Sequence, residues 1–278
     1  MGKLIYYELL KTFLKKRTYL GFLIVAIIVP LVEVGMKLEG GRFLQLATRR
    51  LQEDFFFVGS LFNGWFVSYQ IMNSLWVHIP LLISFVAGDQ LAGEATAGTY
   101  RLLLIRPVSR TRIFLAKTAT TLLYTFVFVV FLGVLSIGLA LALLGGGDMI
   151  VIERGILVLE ESSVAWRFLL AYLFAVWSMM TVASIALFFS SFVENAIGPI
   201  VATIGVLIVF MVLTVLPLEI FDPIRDGLFT KHMILWQKVF NDPIPWDDIW
   251  KSVTVLGIYT VVSCVAAWAI FVRRDILS

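Results

Sequence analysis

The sequence predicts an all-α membrane protein. It has six transmembrane helices, an N-terminal interfacial amphipathic helix, a charged cytoplasmic elbow between spans 2 and 3, and both termini in the cytoplasm. Three observations predict it. The 278 residues are 60% hydrophobic and only 15% charged, where a soluble domain carries roughly a quarter charged residues. The apolar residues gather into runs close to the roughly 20 that a bilayer requires. Twelve of the 22 cations gather in segments that hold only five acids: Lys3, Lys11, Lys15, Lys16, Arg17, the four arginines of 88–112, Lys117, Arg273 and Arg274. That is the distribution of cytoplasmic segments. The acids expected beside them are Glu8, Asp89, Glu94, Glu194 and Asp275.

Residues 1–18 are read as the interfacial helix. Glu8, Lys11, Thr12 and Lys15 share one face, and Tyr6, Leu9, Leu10, Phe13 and Leu14 share the other, the 3.6-residue period of an amphipathic helix. A short basic helix with aromatics is expected to lie in the cytoplasmic interface. The remainder, 19–278, reads as a single transmembrane domain. Span 1 is placed at about 19–36 and holds Pro30 and Glu33 near its far end, where Glu33 is expected to snorkel to the outer interface. An external amphipathic segment of mixed charge follows, to residue 57.

Span 2, about 64–87, contains His78 and Pro80. A histidine with no second ionisable group one turn away is expected to satisfy a backbone carbonyl at a proline kink rather than to relay protons. The elbow occupies 88–112. Pro107 should end any helix before it, and Ser109 stands where the next helix would take its N-cap. Span 3, about 113–144, is long enough to tilt or project. Gly145-Gly146-Gly147 ends it, and an acidic external loop runs to residue 165. Spans 4 and 5, about 166–190 and 196–216, leave only a tight turn at 191–195. The external segment 217–250 is rich in Pro, Phe and Trp, which suggests chain lying in or dipping into the outer interface. Span 6, about 252–272, ends at Arg273-Arg274.

The elbow has an ordered pattern: Asp89, Gly93-Glu94, Gly98-Thr99, a leucine run at Leu102 to Leu104, Pro107-Val108-Ser109-Arg110, then Lys117. This order resembles the cytoplasmic loop of ABC-2-type ABC transporter permeases. The resemblance covers about thirty residues densely and the rest of the chain only through topology. It implies that 88–112 is the loop touching the ATP-binding subunit, with Asp89, Glu94, Gly98, Thr99, Arg101, Arg106, Pro107 and Arg110 as coupling residues. It further implies an ATP-driven transporter, usually an exporter, in a bacterial or archaeal plasma (inner) membrane. Two copies of an ABC ATP-binding subunit and a second permease chain, identical or related, complete the path. Glu94 is expected near a helix start, where the dipole favours a carboxylate, and Arg106 and Arg110 are expected to meet acids on the ATPase.

The chemistry of the chain agrees with a role driven from outside. There is no Gly-x-x-x-x-Gly-Lys-Ser/Thr phosphate loop, so ATP and Mg belong to the partner and this chain is expected to bind no cofactor and to be no enzyme. No His-Glu-x-x-His pair occurs, and neither His78 nor His232 lies near a Gly-x-Ser-x-Gly elbow, which argues against an intramembrane hydrolase. His232 with Asp222, Asp226, Asp242, Asp247 and Asp248 matches no known metal loop and is read as solvated surface. The formal charge of +3 gives no case for nucleic acid. Cys264 stands alone in an apolar run, which excludes a disulfide framework. Two rivals remain: a non-transporting scaffold or signalling subunit of the same fold, and a membrane-integral enzyme.

Overall fold

A computed structural model describes residues 1–48, 62–98, 108–152, 156–193 and 195–273. Eight long helices organise them: α1 (Gly2–Leu14), α2 (Thr18–Thr48), α3 (Gly64–Leu75), α4 (His78–Thr96), α5 (Arg110–Leu144), α6 (Glu161–Ser190), α7 (Ile197–Val215) and α8 (Trp246–Arg273). Helices α2, α5, α6, α7 and α8 are each long and apolar enough to cross a membrane. The pair α3 and α4 passes the same test together, bent by 55° at its break. The chain is therefore an all-α membrane protein, and among the described residues five helices are long and apolar enough to span, or six when the bent pair counts as one.

The bend has a local cause. Pro80 sits in the first turn of α4 and offers no N–H to the carbonyl of Trp76 four residues back. Beside the break, the Nδ1 of His78 lies 3.0 Å from the Ser74 carbonyl oxygen, the backbone role expected of it. Past the break the helix does not end near residue 87, as the sequence suggests, but runs to Thr96. Helix α5 begins as expected: Ser109 caps it, accepting from the Arg112 N–H at 3.4 Å. It ends at Gly145, whose φ of 74° and ψ of 178° suit glycine alone. The expected external loop then holds a hairpin, β1 (Met149–Ile152) against antiparallel β2 (Ile156–Leu159). The β-branched and leucine-rich sequence of the two strands makes this local β-structure favourable.

Helix α6 is the axis. Its most apolar window is 67% buried, against 17–33% in the other four spanning helices. Its buried face carries Ala171, Ala175, Ser178, Thr181, Ala183, Ser184 and Ala186, small residues that let neighbouring helices approach closely. At its start, the Arg167 guanidinium donates to the carbonyls of Val239 and Asn241, each at 2.8 Å. These bonds draw the 3-10 segment Met233–Phe240 onto the bundle. Trp236 and Phe240 are fully buried there, edge-on to Tyr69, while Phe240 also meets Phe168. The sequence places these aromatics in the lipid interface. They are instead core, packed against rings of α3 and α6; Trp246 and Trp250 do remain exposed.

His232 is also interior, not solvated surface. Its Nε2 donates to the Asp226 carbonyl at 2.9 Å, and its Nδ1 lies 3.0 Å from the Ser252 hydroxyl. Among the described residues no three His, Cys, Asp or Glu side chains are placed to hold a metal ion. Burial pushes the imidazole below its ordinary value of 6.5. The unfolded chain then takes up a proton near pH 6.5 that the folded chain refuses, so stability is flat above that pH and falls below it. The melting temperature of the detergent-solubilised protein is expected to drop between pH 6.5 and 5. A His232→Gln chain should lack that component of the drop; an identical profile in both proteins would remove His232 as its source.

Glu33 departs most from expectation. It does not snorkel: it is 0% exposed, and neither carboxyl oxygen has a hydrogen-bond partner among the described residues. It continues the packed stripe of Val25 and Val29 on α2.

Candidate functional site: a charged cluster where α1, α4 and α5 meet

The periodicity of α1 separates its two faces, and the polar one packs on the protein. Glu8 and Thr12 are buried, while Tyr6, Tyr7, Leu10 and Leu14 are exposed. The polar face turns inward because the ends of α4 and α5 present charges that need it. Lys117, one turn into the apolar part of α5, is 1% exposed. An isolated ammonium there would be very costly. It donates to Glu8 Oε2 at 2.9 Å and to Glu94 Oε1 at 2.9 Å. Glu94 also takes Lys11, and Asp89 takes Lys15 at 2.9 Å and Arg17, both on Oδ2. Gln90 donates to the Thr12 hydroxyl at 3.2 Å. Four cations, from α1, the turn after it and α5, thus face three carboxylates on α1 and α4.

Asp89 and Glu94 are helical residues, which corrects the expected loop beginning at Gly88. Glu94 lies in the last turn of α4, not at a helix start. A carboxylate is disfavoured by the dipole there, and Lys11 and Lys117 offset that. Gly93 is what permits Asp89 its position: a Cβ on Gly93 would come 2.2 Å from Asp89 Oδ1. Helix α6 reaches the same place. The Ser190 hydroxyl donates to the Gly88 carbonyl at 2.6 Å and accepts from the N–H groups of Leu91 and Ala92 at 3.1 and 2.9 Å. The turn after α6 is tied in as well, since the Ala196 N–H donates to Thr96 Oγ1 at 3.1 Å.

Of the eight coupling residues read from the sequence, the structure brings Asp89 and Glu94 into one cluster. Gly98 follows α4 with a φ of 65°, in the left-handed region that favours glycine. Arg110 donates to the Val272 carbonyl at 3.0 Å, which ties the start of α5 to the end of α8. Thr99, Arg101, Arg106 and Pro107 lie outside the described residues. The residues that sequence reasoning missed are Glu8, Lys11, Lys15, Arg17 and Lys117. Their signal was present: a lysine inside an otherwise apolar span demands a carboxylate partner, and α1 carries one among its cations.

Two comparisons with known proteins find relatives of this chain. It is 28% identical over 202 residues to the uncharacterized protein YhcI of Bacillus subtilis (strain 168), covering 70% of this chain and 64% of that one. The chain thus spans just under two thirds of that relative's length. A family model, "Protein of unknown function (DUF2705)", matches residues 21–277, from the start of α2 to the C-terminal end. The chain belongs to the DUF2705 family.

Proposed function

We propose that this chain is the membrane-spanning permease subunit of an ABC-2-type, ATP-driven transporter, working as an exporter in the plasma membrane. Helices α3 and α4 form one broken span, giving six, with both termini in the cytoplasm. Two ABC ATP-binding subunits bring ATP and Mg, and a second permease chain completes the path. The observation that carries the reading is the charged cluster. Residues 99–107 join α4 to α5 in the sequence, and the ends of those two helices are tied to each other and to α1 by buried ion pairs through Glu94 and Lys117. A push delivered to that connection by closing ATPases would move α1, α4 and α5 as a unit. The break between α3 and α4 would let the near half of the span tilt without dragging the far half. The elbow's resemblance to ABC-2 permeases supports the same reading, as does the scarcity of charge along the spanning helices. Little in the membrane supplies an ion-driven mechanism.

The test is co-expression with an ABC ATP-binding protein, purification and reconstitution in vesicles. An Arg101→Ala/Arg106→Ala chain should insert and accumulate normally. It should recruit less ATPase, with the loss larger at high salt, and should lose ATP-driven transport. Full recruitment and full transport in that variant would overturn the coupling role of 88–112. A chain that purifies with no ATP-binding subunit would overturn the transporter reading itself.

A further inference from the structure

A cavity of about 150 Å3 opens beside the Asp89 ion pairs, in a cleft between α2 and α7 floored by α4. Its polar wall holds Lys15, Arg17 and Asp89, and its apolar wall holds Leu20, Phe85 and Ile197. These three apolar residues are 49%, 45% and 65% exposed, so the cavity continues into the apolar outer surface of the spanning helices. The charges do not cancel. Lys15 and Arg17 share one oxygen of one carboxylate, leaving a net positive charge, and the neighbouring Lys16 is exposed.

We propose that this cleft is a binding site for an anionic phospholipid. The phosphate sits against Lys15 and Arg17, and the first methylenes lie on Leu20, Phe85 and Ile197. Three features favour this occupant. The three consecutive cations stand at the junction where α1 gives way to an apolar spanning helix, the depth of a headgroup. The exposed face of α1, with Tyr6, Tyr7, Leu10 and Leu14, is amphipathic in the sense that lays a helix in the interface. The excess charge selects an anionic headgroup, because a zwitterionic one brings its own cation. The site goes beyond the transport reading and does not depend on it.

The experiment uses the full chain in detergent, with dioleoyl phosphatidylglycerol and dioleoyl phosphatidylcholine as probes, read by native mass spectrometry and by melting temperature. Phosphatidylglycerol should remain bound and raise the melting temperature, and phosphatidylcholine should do neither. A Lys15→Gln/Arg17→Gln chain should bind phosphatidylglycerol roughly thirtyfold more weakly, taking the usual contribution of a cation near an anionic surface for each. Asp89→Asn is the decisive companion, because it frees both cations from their partner. It should bind phosphatidylglycerol as tightly as the parent or more tightly. If Asp89→Asn lost the lipid as fully as the double variant, the two cations would be internal ion-pair partners only. Equal retention of phosphatidylcholine, or an equal melting shift from inorganic phosphate at matched ionic strength, would also overturn the site.

Discussion

A Lys117→Met chain is expected to lose about 3–5 kcal/mol of stability, the usual consequence of removing one partner from a buried ion pair. Lys117 is nearly inaccessible and holds Glu8 and Glu94 at 2.9 Å each. Without it Glu94 keeps Lys11, but Glu8 retains no ion-pair partner among the described residues and stays inside. Methionine matches the length of the lysine stem, so the loss reads the charge and not a cavity. The measurement is denaturant or thermal unfolding in detergent micelles, with protease sensitivity of α1 followed alongside, because α1 should come away first. A Glu8→Leu/Lys117→Met chain removes the stranded carboxylate with its partner and should recover most of the loss. A single variant within about 1 kcal/mol of the parent, well short of the usual penalty, would mean that the cluster does not hold α1 in place.

The second large effect has the opposite sign. Glu33→Leu is expected to stabilise the chain by roughly 1–3 kcal/mol, the penalty carried by a buried polar group with no partner. Leucine is close in volume and extends the apolar stripe of Val25 and Val29 along α2. Glu33→Gln is the control: it keeps a polar group in the same place and should give little or no gain. A fall in stability for Glu33→Leu would show that the carboxyl is bonded in the working protein. On the proposed transporter reading, a stabilised Glu33→Leu chain that transports poorly would instead mark the carboxyl as part of a path, where stability is given up for function.

Both effects bear on what the sequence makes legible. The positions of the long spanning helices are plain, because a run of about twenty apolar residues matches the thickness of a bilayer. The cap at Ser109 and the role of His78 are local chemistry and are equally plain. The continuation of α4 through Gly88, Asp89, Gly93 and Glu94 is not legible, since two glycines and two acids read as loop by every local rule. They are helical because cations from α1 and α5 neutralise the acids and because Gly93 gives Asp89 room. Those causes lie more than seventy residues away for Lys11 and Lys15. What the polar face of α1 packs against is hidden for a different reason. Amphipathic periodicity separates two faces but does not say which one meets the protein when the surroundings are lipid. Trp236 and Phe240 show the same ambiguity, since an aromatic suited to an interface is equally suited to a core.

The Ser190 hydroxyl gives the joint between α6 and α4 an unusual economy. The three backbone groups it touches, Gly88 C=O and the N–H groups of Leu91 and Ala92, belong to a ladder that α4 can also satisfy by itself, Gly88 with Ala92 at the regular helical spacing. Pulling α6 away from α4 at this point would therefore strand no backbone group, and only one hydroxyl would need a new acceptor. The preceding carbonyls of α6 supply acceptors of the kind that serines in membrane helices commonly use. A contact that can be surrendered without orphaning its partners is suited to opening and re-forming many times, and it sits where the two helices would have to part if either were to move.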